Sequence, residues 1–576
     1  MWSGGLQPAE NRPGGLKPAA PLIIIRVKRS RTLLTLLCLL LALCLGCGRE
    51  KPATQQTVAP PPDDTPRDGG TLIRRLEADI TTLNPIVQNS RYDTYVANYL
   101  FTPIITIDRN LQPAPGLAKA WEISSDGKLY RFELNPKATF SDGTPVRASD
   151  VLFTLRKTID PASEAVQIAG GFELLDLANS KVVDEHTIDV AFREPLATQL
   201  VRFKDIYVIP EHVYSKGNFR NDYNTQGVVG SGPYTLVRRV VGKEIVLEKR
   251  KDYWSDPPHI QTVLFKIVND HGTAWNALKQ REIDETLIAS DTWLREHNNP
   301  ALTRYLEFRR FYALNYNFIA WNERNALFTD KRIRRALAMC IPVDAVINDL
   351  YHGTARAMSG PFTPDQWAYN PNVPIIRYDP DGAKQLFTAA GWADKNGDGV
   401  LENGKKNFEF DLLALSGSAT GKQLVQMVQA EMKKVGITVN LVILDGATAI
   451  QRILSGNYDA AYMSWDLDPD PDPYALFHST QAPPHGQNII SYSNPEIDKL
   501  IDTARRELDV SKRKDLYWRL HEILADEQPY AWIVQASAKW GMNKRVRGVE
   551  VSSGYGFFLW SPGEHGWWID DRVAPR

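Results

Sequence analysis

The order of apolar and polar positions changes character partway along this chain. Over residues 129–134 (Leu-Tyr-Arg-Phe-Glu-Leu) the two kinds alternate, the period-two pattern of a half-exposed strand, and Asp126 with Gly127 form the turn before it. Ser149 and Asp150 stand ahead of an apolar run from Val151 and predict a capped helix. Residues 234–238 and 244–248 read as a hairpin after the turn at Gly230 to Pro233. From Asn407 the pattern becomes regular: strand 408–415, helix 422–435, strand 437–444, helix 447–454, strand 459–464. Lys433 and Lys434 complement the dipole at the end of the first helix, and Gly436 suits its left-handed stop. Three strands joined by two helices require right-handed crossovers and a parallel sheet, so the ends at Ser416 and Trp465 share one rim.

That rim carries the most informative segment. A short strand ends at Trp465, and the stretch Asp-Leu-Asp-Pro-Asp-Pro-Asp-Pro (466–473) then crowds four carboxylates onto a proline-stiffened loop. Ligands of open α/β sheets lie beyond the carboxyl ends of strands. Four neighbouring acids repel one another, so the loop is expected to be solvated or to face a cation, either a substrate ammonium or a metal. Ser416, Gly417 and Ser418 at a helix start are a candidate for holding a ligand carboxylate, with a plain cap as the simpler alternative.

Composition narrows the classes. At 576 residues the chain has room for two or more lobes, and 67 basic against 68 acidic residues give no field that favours nucleic acid. Cys38, Cys44 and Cys47 lie near the N-terminus, which leaves Cys340 alone in the body and no disulfide framework there. A basic cluster (Arg26, Lys28, Arg29, Arg31), an apolar run over 33–45, then Gly46 and Cys47 predict a secretion signal over 1–46 with Cys47 acylated. Residues 47–68, rich in proline and threonine, read as a flexible lipid-anchored tether. The expected location is periplasmic or otherwise extracytoplasmic, at a membrane surface.

Other motifs carry less. Asp394, Asn396, Asp398 and Gly399 copy the opening of a calcium loop, but Lys405 replaces the bidentate glutamate at the twelfth position, which favours a polar turn. Arg332, Arg334 and Arg335 read as a solvated helix face. His521 and Glu522 lack the second histidine of a helical zinc site, and no serine nucleophile or phosphate loop is present, so no cofactor is expected.

Several segments together resemble one family. They are Pro115 to Glu122 with Asp126 and Gly127, Phe140 to Pro145, Ala148 to Val151, Gly230 to Tyr234, Tyr253 with Trp254, Phe328 to Ala338, and the Trp465 loop. In this order the chain resembles the extracytoplasmic solute-binding proteins of peptide and nickel ABC importers, family 5, which includes the oligopeptide- and dipeptide-binding proteins. The resemblance implies an α/β fold of the periplasmic-binding-protein kind, a two-lobe clam with a two-crossing hinge and an inserted α+β subdomain. By analogy the first lobe comprises 69–106, 228–315 and 533–576, with 107–227 inserted into it, and the second lobe is 316–532. It implies a monomer whose partners are a peptide and an inner-membrane ABC permease.

The resemblance also assigns residues. Asp468, three positions after Trp465, stands where peptide-binding relatives pair the ligand's α-ammonium; a buried amine needs such a partner in any case. Trp465 would wall the ligand, and Gln88, Asn89 and Ser90 fall where the opposite lobe offers contacts. The expected function is therefore capture of peptides for import. The same scaffold carrying an oligosaccharide, a nickel chelate or another small solute is the alternative. A hydrolase using two acids of the 466–472 loop is the remote one, since the intervening prolines splay neighbouring acids that would have to straddle a bond. The chain is read as not an enzyme.

Overall fold

The computed structural model describes residues 64–223, 227–483 and 486–573. The signal over 1–46, Cys47 and the tether up to residue 63 lie outside them. Residues 64–68 lie against the body: Asp64 pairs with Arg547, and Asp68 with His259 at 2.9 Å.

Two sheets position the site. β1 (Thr71–Leu76) opens the body and is followed by α1 (Arg91–Leu100), which Ser90 caps. A four-stranded antiparallel sheet then forms from β2 (Ala118–Ile123), β3 (Leu129–Leu134), β4 (Leu175–Val182) and β5 (Thr187–Phe192), in the order β2-β3-β5-β4. α2 (Ala148–Ile159) packs on this sheet. Its cap differs from the expected one. The helix starts at Ala148, and Asp150 at its third position accepts the Arg147 N–H at 2.9 Å, whereas Ser149 makes no cap. The alternation over residues 129–134 is realised: Tyr130, Phe132 and Leu134 are buried in one core with Val151, Leu155 and Phe203.

The large sheet holds twelve strands among the described residues. β6 (Tyr234–Val240) and β7 (Glu244–Lys249) form the expected hairpin, and β8 (Thr262–Ile267) runs parallel to β1. β9 (Glu285–Leu287) and β10 (Leu306–Tyr312) complete this half. The chain crosses at Ala313 and Leu314 into β11 (Asn315–Trp321). α3 (Lys331–Met339) and the short β12 (Ala355–Ala357) follow. The regular α/β run is β13 (Glu409–Leu415), α4 (Ala419–Lys434), β14 (Thr438–Leu444), α5 (Gly446–Leu454) and β15 (Ala460–Asp466). β14 and β15 flank β13, both parallel to it. α6 (Pro495–Arg506) and α7 (Val510–Glu527) lead into β16 (Tyr530–Asn543), a strand of 14 residues.

This is a two-lobe fold, and β16 runs through both halves. Its first residues pair with β11, and residues 537–543 pair with β10. Gln535, fully buried between the two stretches, donates its side-chain N–H to the Ala313 carbonyl at 2.6 Å, so one crossing is bonded to the other. In β11 successive residues face opposite cores: Tyr316, Phe318 and Ala320 pack with α6 and α7, and Ile319 and Trp321 pack with α4. Arg334 corrects the solvated-face reading. It is buried, donates to the carbonyls of Phe328 and Glu527, and lies 3.3 Å from Glu323, while Arg332 stays outside on Asp330.

Candidate functional site

β15 sits inside the second lobe's sheet between β13 and β11, and its ladder with β11 runs out at Asn315 opposite Asp466. Pro469, Pro471 and Pro473 have no N–H to extend a ladder, so the chain leaves the sheet there as a loop. The loop's acids meet cations of the chain itself. Asp470 takes both oxygens to the Arg513 guanidinium of α7 at 2.9 Å. Burial pushes its carboxyl up to about 6, against the pull of Arg513. Asp472 is bracketed by Arg505 of α6 and by Arg202 of the inserted region, each at 3.2 Å. These two acids therefore anchor the loop and are committed to it.

Asp468 is placed differently. Its side chain keeps 56% exposure and lines a cavity between the rim loop and the inserted region. The nearest cation is Lys204, from the short helical turn at Phe203–Asp205, with Nζ 3.3 Å from Asp468 Oδ1. The same ammonium bonds both oxygens of Asp205 at 2.8 and 2.9 Å. Crowding works to raise the Asp468 pKa, but Lys204 and Arg202 outweigh it and hold the group below the ordinary carboxylate value. Asp205, more hindered and facing Asp468, is shifted upward. Lys204, despite its burial, is held well above the usual lysine value by these acids and stays charged.

A cavity of about 230 Å³ opens where these elements meet, lined by Gln88, Thr94, Gln167, Arg202, Asp205 and Asp468. It draws on the region of α1, on the inserted region and on the rim loop. A second cavity of about 140 Å³ shares Thr94 and Asp205 with it and reaches Lys204, Tyr207 and Tyr555.

Two of the residues singled out from the sequence thus share one cavity. Gln88 is buried, and its amide oxygen accepts the Thr94 hydroxyl at 2.8 Å. Asn89 faces away; its side chain accepts the Thr81 hydroxyl, while its carbonyl fixes the amide of Gln167, a cavity residue, at 2.9 Å. Ser90 is occupied in the reciprocal cap of α1 with Asp93. Ser418 caps α4 by accepting the Gly421 N–H at 2.9 Å, and exposed Ser416 bonds through its N–H to the Leu444 carbonyl. Trp465 is half-buried against Phe318, ring centroids 6.1 Å apart, with its indole N–H toward the Tyr530 hydroxyl at 3.4 Å. None of these last four lines the cavity. In the calcium-like loop Asp394 accepts the N–H groups of Gly397 and Gly399, and Asp398 accepts that of Val400, the bonding of a self-closed polar turn. Lys204, Asp205 and Arg202 were not singled out: the stretch 202–205 has mixed charge and no periodicity, and only folding brings it to the rim loop.

Residues 112–488 match the family model described as bacterial extracellular solute-binding proteins, family 5 middle. The chain belongs to this family. The oligopeptide-binding protein AppA of Bacillus subtilis is 26% identical over 539 residues, 91% of this chain and 97% of that protein. The dipeptide-binding protein of Escherichia coli is 26% identical over 464 residues, covering 76% and 83% of the two chains. The solved structure of AppA in complex with a nonapeptide superposes with a TM-score of 0.75 at 25% identity, covering 88% of this chain and all of that one. Family 5 proteins are extracytoplasmic, non-catalytic transport receptors, and the acids of the rim loop need no hydrolytic role.

Proposed function

We propose that this protein is the substrate-binding component of an ABC importer and captures peptides outside the cytoplasm. An ionised carboxylate, Asp468, held in a cavity shared by the second lobe, the inserted region and the first lobe, carries the reading. A peptide's α-ammonium taken out of water requires such a counter-charge. The lobes are 69–106 with 228–315 and 533–576, and 316–532, with 107–227 inserted in the first. The change of partners along β16 and the crossing at Ala313 and Leu314 support this division. Contacts from both sides of the cleft then favour the closed population, which a membrane permease accepts. Lipid on Cys47 would keep the receptor beside that permease.

Thermal unfolding with pools of peptides, oligosaccharides and nickel chelates tests the cargo, because a ligand that binds only the folded state raises the midpoint. Peptides are expected to raise it, and Asp468→Asn to remove that shift while the ligand-free midpoint stays within a few degrees. A shift from sugars or nickel chelates alone, or full peptide binding by Asp468→Asn, refutes the assignment.

A further inference from the structure

Lys204 creates a difficulty for a receptor that relies on Asp468 alone. Its ammonium lies 3.3 Å from Asp468, and a lone Asp468–Lys204 pair would present a neutral wall to an incoming ammonium. The charge is restored by Asp205. Lys204 is only 14% exposed, whereas Asp205 and Asp468 are 45% and 56% exposed. Both acids line the 230 Å³ cavity, and Lys204 lines the smaller one, which Asp205 shares. Arg202 also lines this larger cavity and shares Asp472 with Arg505, so that one acid faces two guanidiniums there. The group of Asp468, Lys204 and Asp205 thus carries two negative charges and one positive, with Arg202 beside it on the same wall.

We propose that Asp205 is a second ligand-binding carboxylate, held beside Asp468 across the cleft by Lys204, so that the two acids together receive one ligand ammonium. The proposal rests on the peptide reading above and adds to it a binding residue from the inserted region. One ammonium balances the acid–lysine–acid group, and its three N–H groups match the acceptors of Asp468, Asp205 and the Gln88 amide, which line the same space. Lys204 acts as a positioning residue: without it the two acids repel, and each would move off or take up a proton.

Calorimetric titration with a tripeptide pool, and with the same pool after N-acetylation, tests the receptor role. Asp205→Asn is expected to bind the free-amine pool at least about tenfold more weakly, with the preference over the acetylated pool shrinking equally. The positioning role is read without ligand, from the unfolding midpoint between pH 5 and 8. The charged and titratable groups facing the pair are Lys204, Arg202, Asp472, Tyr207, Tyr555 and His565. In Lys204→Met one acid is expected to hold a proton that the unfolded chain releases near pH ~4. Its midpoint then falls as pH rises through this window, more steeply than in the wild type, and Lys204→Arg restores the wild-type profile. If Asp205→Asn keeps full affinity while Asp468→Asn loses it, the second carboxylate is refuted and the peptide reading stands. Failure of the wild type to bind either pool refutes both. Parallel pH profiles for Lys204→Met and the wild type refute the positioning role.

Discussion

Lys539 offers a measurement of what a buried charge costs this fold. It lies on β16 at 3% exposure, and its ammonium donates to the Ser537 carbonyl at 3.1 Å. Among the described residues no carboxylate lies within ion-pair distance, and Arg310 stands opposite it in the β10 ladder. Burial, with a smaller push from Arg310, lowers its pKa from 10.5 to about 8. A tenfold change in a proton equilibrium corresponds to about 1.4 kcal/mol, so at neutral pH the charged form costs about 3 kcal/mol. Lys539→Met removes that cost and loses one hydrogen bond worth about 1 kcal/mol, for a net gain of about 2 kcal/mol. The sign with pH follows from the depressed value. Between pH 8 and 10.5 the unfolded chain holds the proton that the folded one has released, so the Lys539 contribution to wild-type stability rises across that window and is flat below it. Urea unfolding at pH 7, 9 and 10, followed by tryptophan fluorescence, reads both effects. A variant no more stable than the wild type at pH 7, or one that keeps the alkaline rise, would refute the reasoning.

Other substitutions probe different parts of the fold. Arg74 is buried between Glu285 and Glu564 at 3.0 and 2.8 Å, so Arg74→Met strands two buried acids and is expected to cost about 3–5 kcal/mol in chemical unfolding. An unchanged midpoint would show that the acids find another partner. At Gly232 a Cβ would stand 2.5 Å from the Tyr99 oxygen and the Leu100 carbonyl carbon, backbone atoms that cannot swing aside. Gly232→Ala should therefore lose at least about 1–3 kcal/mol, read from the thermal midpoint. Cys340 is fully buried with its thiol pushed up to about 12, so iodoacetamide at pH 8 should modify the Cys340 peptide, followed by mass spectrometry, only after denaturant is added.

The second lobe was the most legible part of the chain because its cores lie on both faces of a sheet whose strands are short and separated by helices of ordinary length. β13, β14 and β15 fall within two residues of their expected bounds, and Gly436 adopts the left-handed φ of 85° that its place after α4 requires. Hidden from the sequence was everything that depends on distant pairing. The acids of the rim loop look alike in order, but Asp470 and Asp472 are claimed by arginines more than thirty residues away, while Asp468 lines the cavity. Ser90 and Ser418 are helix caps that local sequence already offered as the simpler alternative for the second, while the pairing of Lys204 with Asp468 spans a separation that no local pattern encodes. Arg334 misled for the same reason. On the same helix Arg332 stays exposed and Arg335 half-exposed, and only the tertiary position of Glu323 and of the end of α7 turns Arg334 inward.

Because β16 is one unbroken ribbon laid under both halves, neither half can be excised as a self-sufficient module. Cutting out the region around β11 and β15 would strip the first five residues of β16 of their ladder, and truncating the chain before residue 537 would leave β10 with an open edge. Grafting one half onto a relative would have to exchange the seams at Ala313 and Gln535 together, since their mutual bond ties one crossing to the other.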